Sequence, residues 1–104
     1  MILNKEKIKK FRRIGHQLSP VVIVSDKGLS AGVRAELERA LNDHELIKIK
    51  VHCGDRELRN QLIAELLTEN RAQLIQAVGN IALIYRPAKK PNAALSNLIR
   101  HGNG

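Results

Sequence analysis

Four histidines, one cysteine and a loop that sets lysine beside glycine are the groups in this chain best suited to hold or transform a ligand. His16, His44, His52, His101 and Cys53 could supply metal ligands, but their spacings match no zinc pattern. His52 and Cys53 are neighbours on an alternating strand, so they point to opposite faces of the sheet. They read as surface histidines and a packed thiol, and neither a metal nor a cofactor is expected. Asp26 lies beside Lys27, and Asp55 is placed to cap a helix, so the acids give no convergent acid/base set. The chain has no GxxxxGK[ST] loop and no GxGxxG fingerprint. Catalysis is not expected.

What remains is the binding of anions. Ser25-Asp26-Lys27-Gly28 joins the apolar run Val21-Val22-Ile23-Val24 to a helix that begins near Ser30. N–H groups at a helix start, with the positive end of its dipole, favour a phosphate-sized anion, and lysine adds full charge. Turn and capping chemistry alone would select the same residues, so both readings stand. A second source of charge is the stretch holding Lys5, Lys7, Lys9, Lys10, Arg12 and Arg13, with Glu6 as its one acid. Like charges at (i, i+3) and (i, i+4) weaken a helix, which points to a polyanionic partner as the compensation. The apolar stripe Ile8, Phe11 and Ile14 is too narrow for a membrane anchor.

The elements that must position these groups follow from periodicity. Residues 4–14 predict a helix with Asn4 as N-cap, and Gly15 to Pro20 breaks it. Val21 to Val24 are four consecutive β-branched residues, which predicts an inner strand covered on both faces. Val33, Leu37 and Leu41 form the buried stripe of a helix over about 31–43, with Arg34, Glu36, Glu38 and Arg39 turned outward. Over 46–53, Ile47, Ile49, Val51 and Cys53 alternate with Lys48, Lys50 and His52. The lysines either touch a polyanion or keep an edge strand soluble. A third helix over about 56–69 starts at Asp55 and ends at Asn70. Strands at 72–78 and 81–86 flank Gly79-Asn80, a glycine-first loop suited to a type II′ hairpin. The order α-β-α-β-α-β-β predicts an α/β domain over residues 1–87, a mixed four-stranded sheet with helices packed on it. Residues 88–104 read as a basic flexible tail in which Leu95, Leu98 and Ile99 form at most one loose helical turn.

Composition narrows the partner. The chain has 104 residues, enough for one core, and its 43% apolar content excludes wholesale disorder. Lysine and arginine number 18 against 10 acids, a formal net charge of +8, which favours a polyanion. Phe11 and Tyr85 are the only aromatics, so nucleic acid would be held by charge and backbone, not by stacking on rings. A single cysteine precludes an intramolecular disulfide and fits a reducing compartment. No apolar run reaches the ~18 residues of a membrane span and the start lacks a signal-peptide core, so a cytoplasmic protein is expected.

Four segments together resemble the CRM domain family (chloroplast RNA splicing and ribosome maturation), in particular its small stand-alone bacterial members of YhbY type. They are Leu18-Ser19-Pro20-Val21-Val22-Ile23-Val24, Gly28-Leu29-Ser30-Ala31-Gly32-Val33, His44-Glu45-Leu46-Ile47-Lys48-Ile49-Lys50-Val51, and Val78-Gly79-Asn80 leading to Leu83-Ile84-Tyr85-Arg86-Pro87. The resemblance spans about residues 3–90. It implies an RNA-binding domain, without catalysis, whose fold is similar to the C-terminal domain of translation initiation factor three. Its stand-alone members are linked to precursors of the large ribosomal subunit. The family carries a GxxG loop after the first strand, analogous to the loop with which KH domains clamp a nucleic-acid backbone. Here Ser25 replaces the first glycine. Carried onto this chain, the resemblance implies phosphate contacts from Ser25, Lys27, Gly28 and Ser30, extended one helical turn by Arg34. Lys5, Lys9, Lys10, Arg12 and Arg13 add long-range attraction, and Lys48 and Lys50 lie on the second strand. The expected partner is rRNA of large-subunit precursors, bound by a monomer. A DNA-compacting protein of Alba type shares the charge and a similar element order, and is the competing expectation.

Overall fold

In the computed structural model, which describes residues 3–101, the chain runs α1 (Lys5–Gly15), β1 (Pro20–Ser25), α2 (Ala31–His44), β2 (Leu46–His52), α3 (Arg56–Asn70), β3 (Gln73–Val78), β4 (Ile81–Tyr85) and α4 (Asn97–His101). Each of the three long helices starts where a short polar side chain takes an orphan amide. Asn4 Oδ1 accepts from Lys7 N–H at 2.8 Å, Ser30 Oγ from Val33 N–H at 3.2 Å, and Asp55 Oδ1 from Glu57 and Leu58 N–H at 2.9 and 3.2 Å. Gly79, at φ +58°, turns β3 into β4 through a two-residue hairpin that pairs Val78 with Ile81.

The sheet order is β1-β2-β4-β3, with β1 parallel to β2 and the other neighbours antiparallel. Alternation along the strands separates two cores. On one face Val22, Val24, Ile47, Ile49, Val51, Ala82 and Ile84 pack under Leu37 and Leu41 of α2 and Leu62, Ile63 and Leu66 of α3. On the other, Phe11 and Ile14 of α1 cover Leu46, Ile75, Leu83 and Tyr85, with the Phe11 and Tyr85 rings 4.8 Å apart. Gly15 lets α1 come this close, since a Cβ there would stand 2.6 Å from Leu83 Cδ2.

Two expectations change. β1 is an edge strand, not an inner one, and Val21 and Ile23 are 50% and 60% exposed, because α1 covers only the end of the sheet where β2 begins. The β-branched run reflects one core face and one open face that happens to be apolar as well. Consequently β2 is an inner strand, and solubility of an edge does not explain Lys48 and Lys50.

The segment after residue 87 also differs from the flexible tail expected of it, as far as residue 101. Glu45 is buried, and its carboxylate accepts from Ser96 Oγ–H at 2.8 Å and Ala88 N–H at 3.0 Å. Asn97 Nδ2–H donates to Leu46 O at 2.7 Å, and His44 Nδ1–H to Leu95 O at 2.8 Å. Satisfying a buried carboxylate and a strand carbonyl gives this segment a reason to stay docked. Residues 102–104 of the expected tail lie outside the described residues.

Candidate nucleic-acid interface

The Ser25 to Gly28 loop is a tight turn in which Gly28 N–H donates to Ser25 O at 2.9 Å. Gly28 has φ +88°, so the second loop glycine answers a backbone demand that a side chain would meet with strain. Ser25 has no positive φ, and its Oγ accepts from Lys27 N–H at 3.3 Å, so serine takes the first position without backbone cost. Lys27 is fully on the surface, with no acidic partner among the described residues.

Not every amide expected to face a ligand is available. Gly28 and Ser30 N–H are spent on Ser25 O and Gly28 O, and Val33 N–H on the Ser30 cap. The first turn of α2 therefore offers Ala31 and Gly32 N–H as its open donors. Ser30 serves this site as a cap.

Arg34 departs from its expected role. Its guanidinium forks onto Glu69 at 3.1 and 3.0 Å, lies 3.7 Å from Glu65, and donates to Leu29 O. The Glu69 hydrogen bond holds its pKa above the ordinary value. The guanidinium so paired ties α2 and the loop to α3.

The open half of the α1-side face begins at this loop. One rung of the sheet reads Ile23, Lys50, Ile81, Val78 across all four strands, and the register puts Ser25 beside His52 at the loop end. Ile23 and Val78 are 60% and 65% exposed. Next to this rung, His16, Lys48, Gln76, Val78, Ile81 and Leu83 line a hollow of about 300 Å³. No strand of the sheet carries an aspartate or glutamate. Lys5, Lys9, Lys10, Arg12 and Arg13 are exposed on α1 with no ion pair among the described residues, and the C-terminal end of that helix abuts the hollow through His16.

Cation on aliphatic surface, edged by a glycine turn, is suited to gripping a sugar-phosphate backbone. Among the described residues no three His, Cys, Asp or Glu side chains gather as metal ligands, and no helix is long and apolar enough to cross a membrane.

Comparison with known proteins gives the family. The sequence profile of the CRS1/YhbY (CRM) domain matches residues 3–86. The chain belongs to the CRM domain family. A probable RNA-binding protein of Pseudomonas aeruginosa is 52% identical over 100 residues, 96% of each chain. An RNA-binding protein of Haemophilus influenzae is 42% identical over 90 residues, 86% of this chain and 91% of that one. The solution structure of a Staphylococcus aureus protein superposes with a TM-score of 0.73 at 23% identity, over 91% of this chain and 98% of that one, and shares the fold.

Two features of this CRM domain were missed by sequence reasoning. Glu45 takes φ 64°, ψ −54°, close to the strained γ-turn geometry, and that conformation is fixed by its carboxylate bonds and by Arg86 N–H donating to Glu45 O at 3.0 Å. Arg86 Nη1 and Nη2 reach Glu38 Oε2, Asn70 O and Asn42 Oδ1 at 2.8, 3.2 and 2.9 Å, locking the ends of α2 and α3 together. The Arg86 hydrogen bond holds the Glu38 carboxyl below its usual range. The signals were in the sequence, in the His44-Glu45-Leu46 and Tyr85-Arg86-Pro87 strings, without the long-range partners that explain them.

Proposed function

We propose that this protein binds RNA through its phosphate backbone and that its target is rRNA in precursors of the large ribosomal subunit, which it helps to mature as a cytoplasmic monomer without catalysing a reaction. The observation that carries the reading is that Lys27, Lys48, Lys50 and the α1 cations stand without an ion pair among the described residues, on and around a sheet whose strands carry no acid. The relatives named for RNA binding support the partner class. Family membership supports the ribosomal context through the YhbY-type resemblance.

Affinity for a folded fragment of large-subunit rRNA, measured against duplex DNA of equal charge over a salt series, tests the reading. Contacts to roughly four to six phosphates give log K against log salt a slope of about −3 to −4 by the single-strand relation. RNA should bind more tightly at every salt concentration. Tighter binding to duplex DNA would favour the Alba-type alternative, and a flat slope would remove charge as the main attraction.

A further inference from the structure

The docked C-terminal segment builds a cleft that the loop and sheet surface do not include. It encloses about 290 Å³ between the α1–β1 connection and α4 and is lined by Gln17, Ser19, Lys48, Arg100 and His101 among others, with no carboxylate side chain in its wall. Lys48 projects from an inner strand, and Arg100 sits on a short helix held by Ser96, Asn97 and the His44–Leu95 contact. Two cations around one hollow with no carboxylate side chain in its wall repel each other, and a bound anion reverses that cost. The Ser19 hydroxyl and Gln17 amide add neutral donors suited to phosphate oxygens.

Lys48 lines both this cleft and the open hollow on the sheet, so the two cavities meet at one side chain. Val21 borders the cleft, and Ser25 opens the loop four residues further along β1, about 13 Å away at strand rise. A backbone lying along β1 would therefore pass from the loop to the cleft.

We propose that this cleft holds a backbone phosphate of the bound RNA, with Arg100 and Lys48 as its cations, at the end of the track opposite Lys27. The proposal rests on the RNA-binding reading above and adds to it a cleft completed by Arg100 and His101, which lie outside residues 3–86, the part matched by the family.

Arg100→Gln, Arg100→Lys and Lys27→Glu in the full-length chain, titrated against a labelled large-subunit rRNA transcript over a salt series, test it. Arg100→Gln should bind several-fold more weakly with a salt slope shallower by about 0.7, the loss of one phosphate contact. Arg100→Lys should keep the wild-type slope, and both should melt like wild type. If Arg100→Gln binds like wild type while Lys27→Glu is weakened, the cleft proposal falls and the RNA-binding reading stands. Equal weakening of Arg100→Gln and Arg100→Lys also overturns it, because charge is then not what Arg100 supplies. Should the wild type itself bind the transcript without salt dependence, the broader reading fails and the cleft with it.

Discussion

At the scale of single residues, Lys27 and Arg34 differ in what their charge is free to do. Both are cations near the start of α2, yet Lys27 stands free while Arg34 is committed to Glu69 and Glu65. Lys27→Glu should reduce RNA affinity roughly tenfold, equivalent to about 1.4 kcal/mol. Its effect on thermal stability should stay within about 0.5 kcal/mol, as for other exposed positions. Arg34→Gln should do the reverse, lowering the melting temperature while affinity holds. Parallel melting curves and RNA titrations check the pair, and wild-type affinity in Lys27→Glu would make the loop a structural turn. Sequence could not sort these two residues, since Glu69 lies 35 positions from Arg34 and no local pattern announces the meeting. Only glycine accepts the φ of Gly28 without strain, a backbone demand that the structure supplies.

At the scale of elements, capping and periodicity carried most of the fold. Asn4, Ser30 and Asp55 start helices as their side-chain chemistry predicts, and the Gly79-Asn80 hairpin sets the register of β3 on β4. What local sequence did not contain was the place of each strand in the sheet. A run such as Val21 to Val24 says that both faces tolerate apolar residues, and position in the sheet is decided by which partner claims the centre. Here β4 inserts between β2 and β3 and leaves β1 outside. Likewise Ser96 and Asn97 earn their buried places from Glu45 and Leu46, 51 residues earlier, a relation invisible to any window of sequence. α1 is where element and function meet, because its narrow stripe packs on Leu83 and Tyr85 while Lys9, Lys10, Arg12 and Arg13 stay in solvent. Replacing those four with glutamine removes mutual repulsion, so helix stability should rise slightly or hold. RNA affinity should fall and the salt slope should flatten more than in Lys27→Glu. A salt series on the quadruple variant checks this, and an unchanged slope would mean that α1 faces away from the RNA.

At the scale of the whole molecule, charge is divided between the two sides of the sheet. The α2 and α3 helices carry Glu36, Glu38, Asp43, Glu57, Glu65 and Glu69 with Arg34, Arg39, Arg56 and Arg59, and ion pairs of Arg34 to Glu65 and Glu69 and of Arg86 to Glu38 mix the signs on this side. On α1, six lysines and arginines stand against Glu6 with no ion pair among the described residues. A molecule whose α1 is this densely cationic approaches a polyanion with that face first, which orients encounter. On the proposed reading, such a protein gains most where rRNA backbone is exposed and loses its footing once ribosomal proteins neutralise the same phosphates. In a sucrose gradient from growing cells it should therefore co-sediment with large-subunit precursors and be depleted from translating ribosomes. Deleting its gene should change precursor abundance, and Lys27→Glu should reproduce part of that change. Recovery in proportion to mature ribosomes, or along chromosomal DNA, would contradict a role in assembly, because in either case the transient exposure of rRNA backbone would not govern where the protein binds.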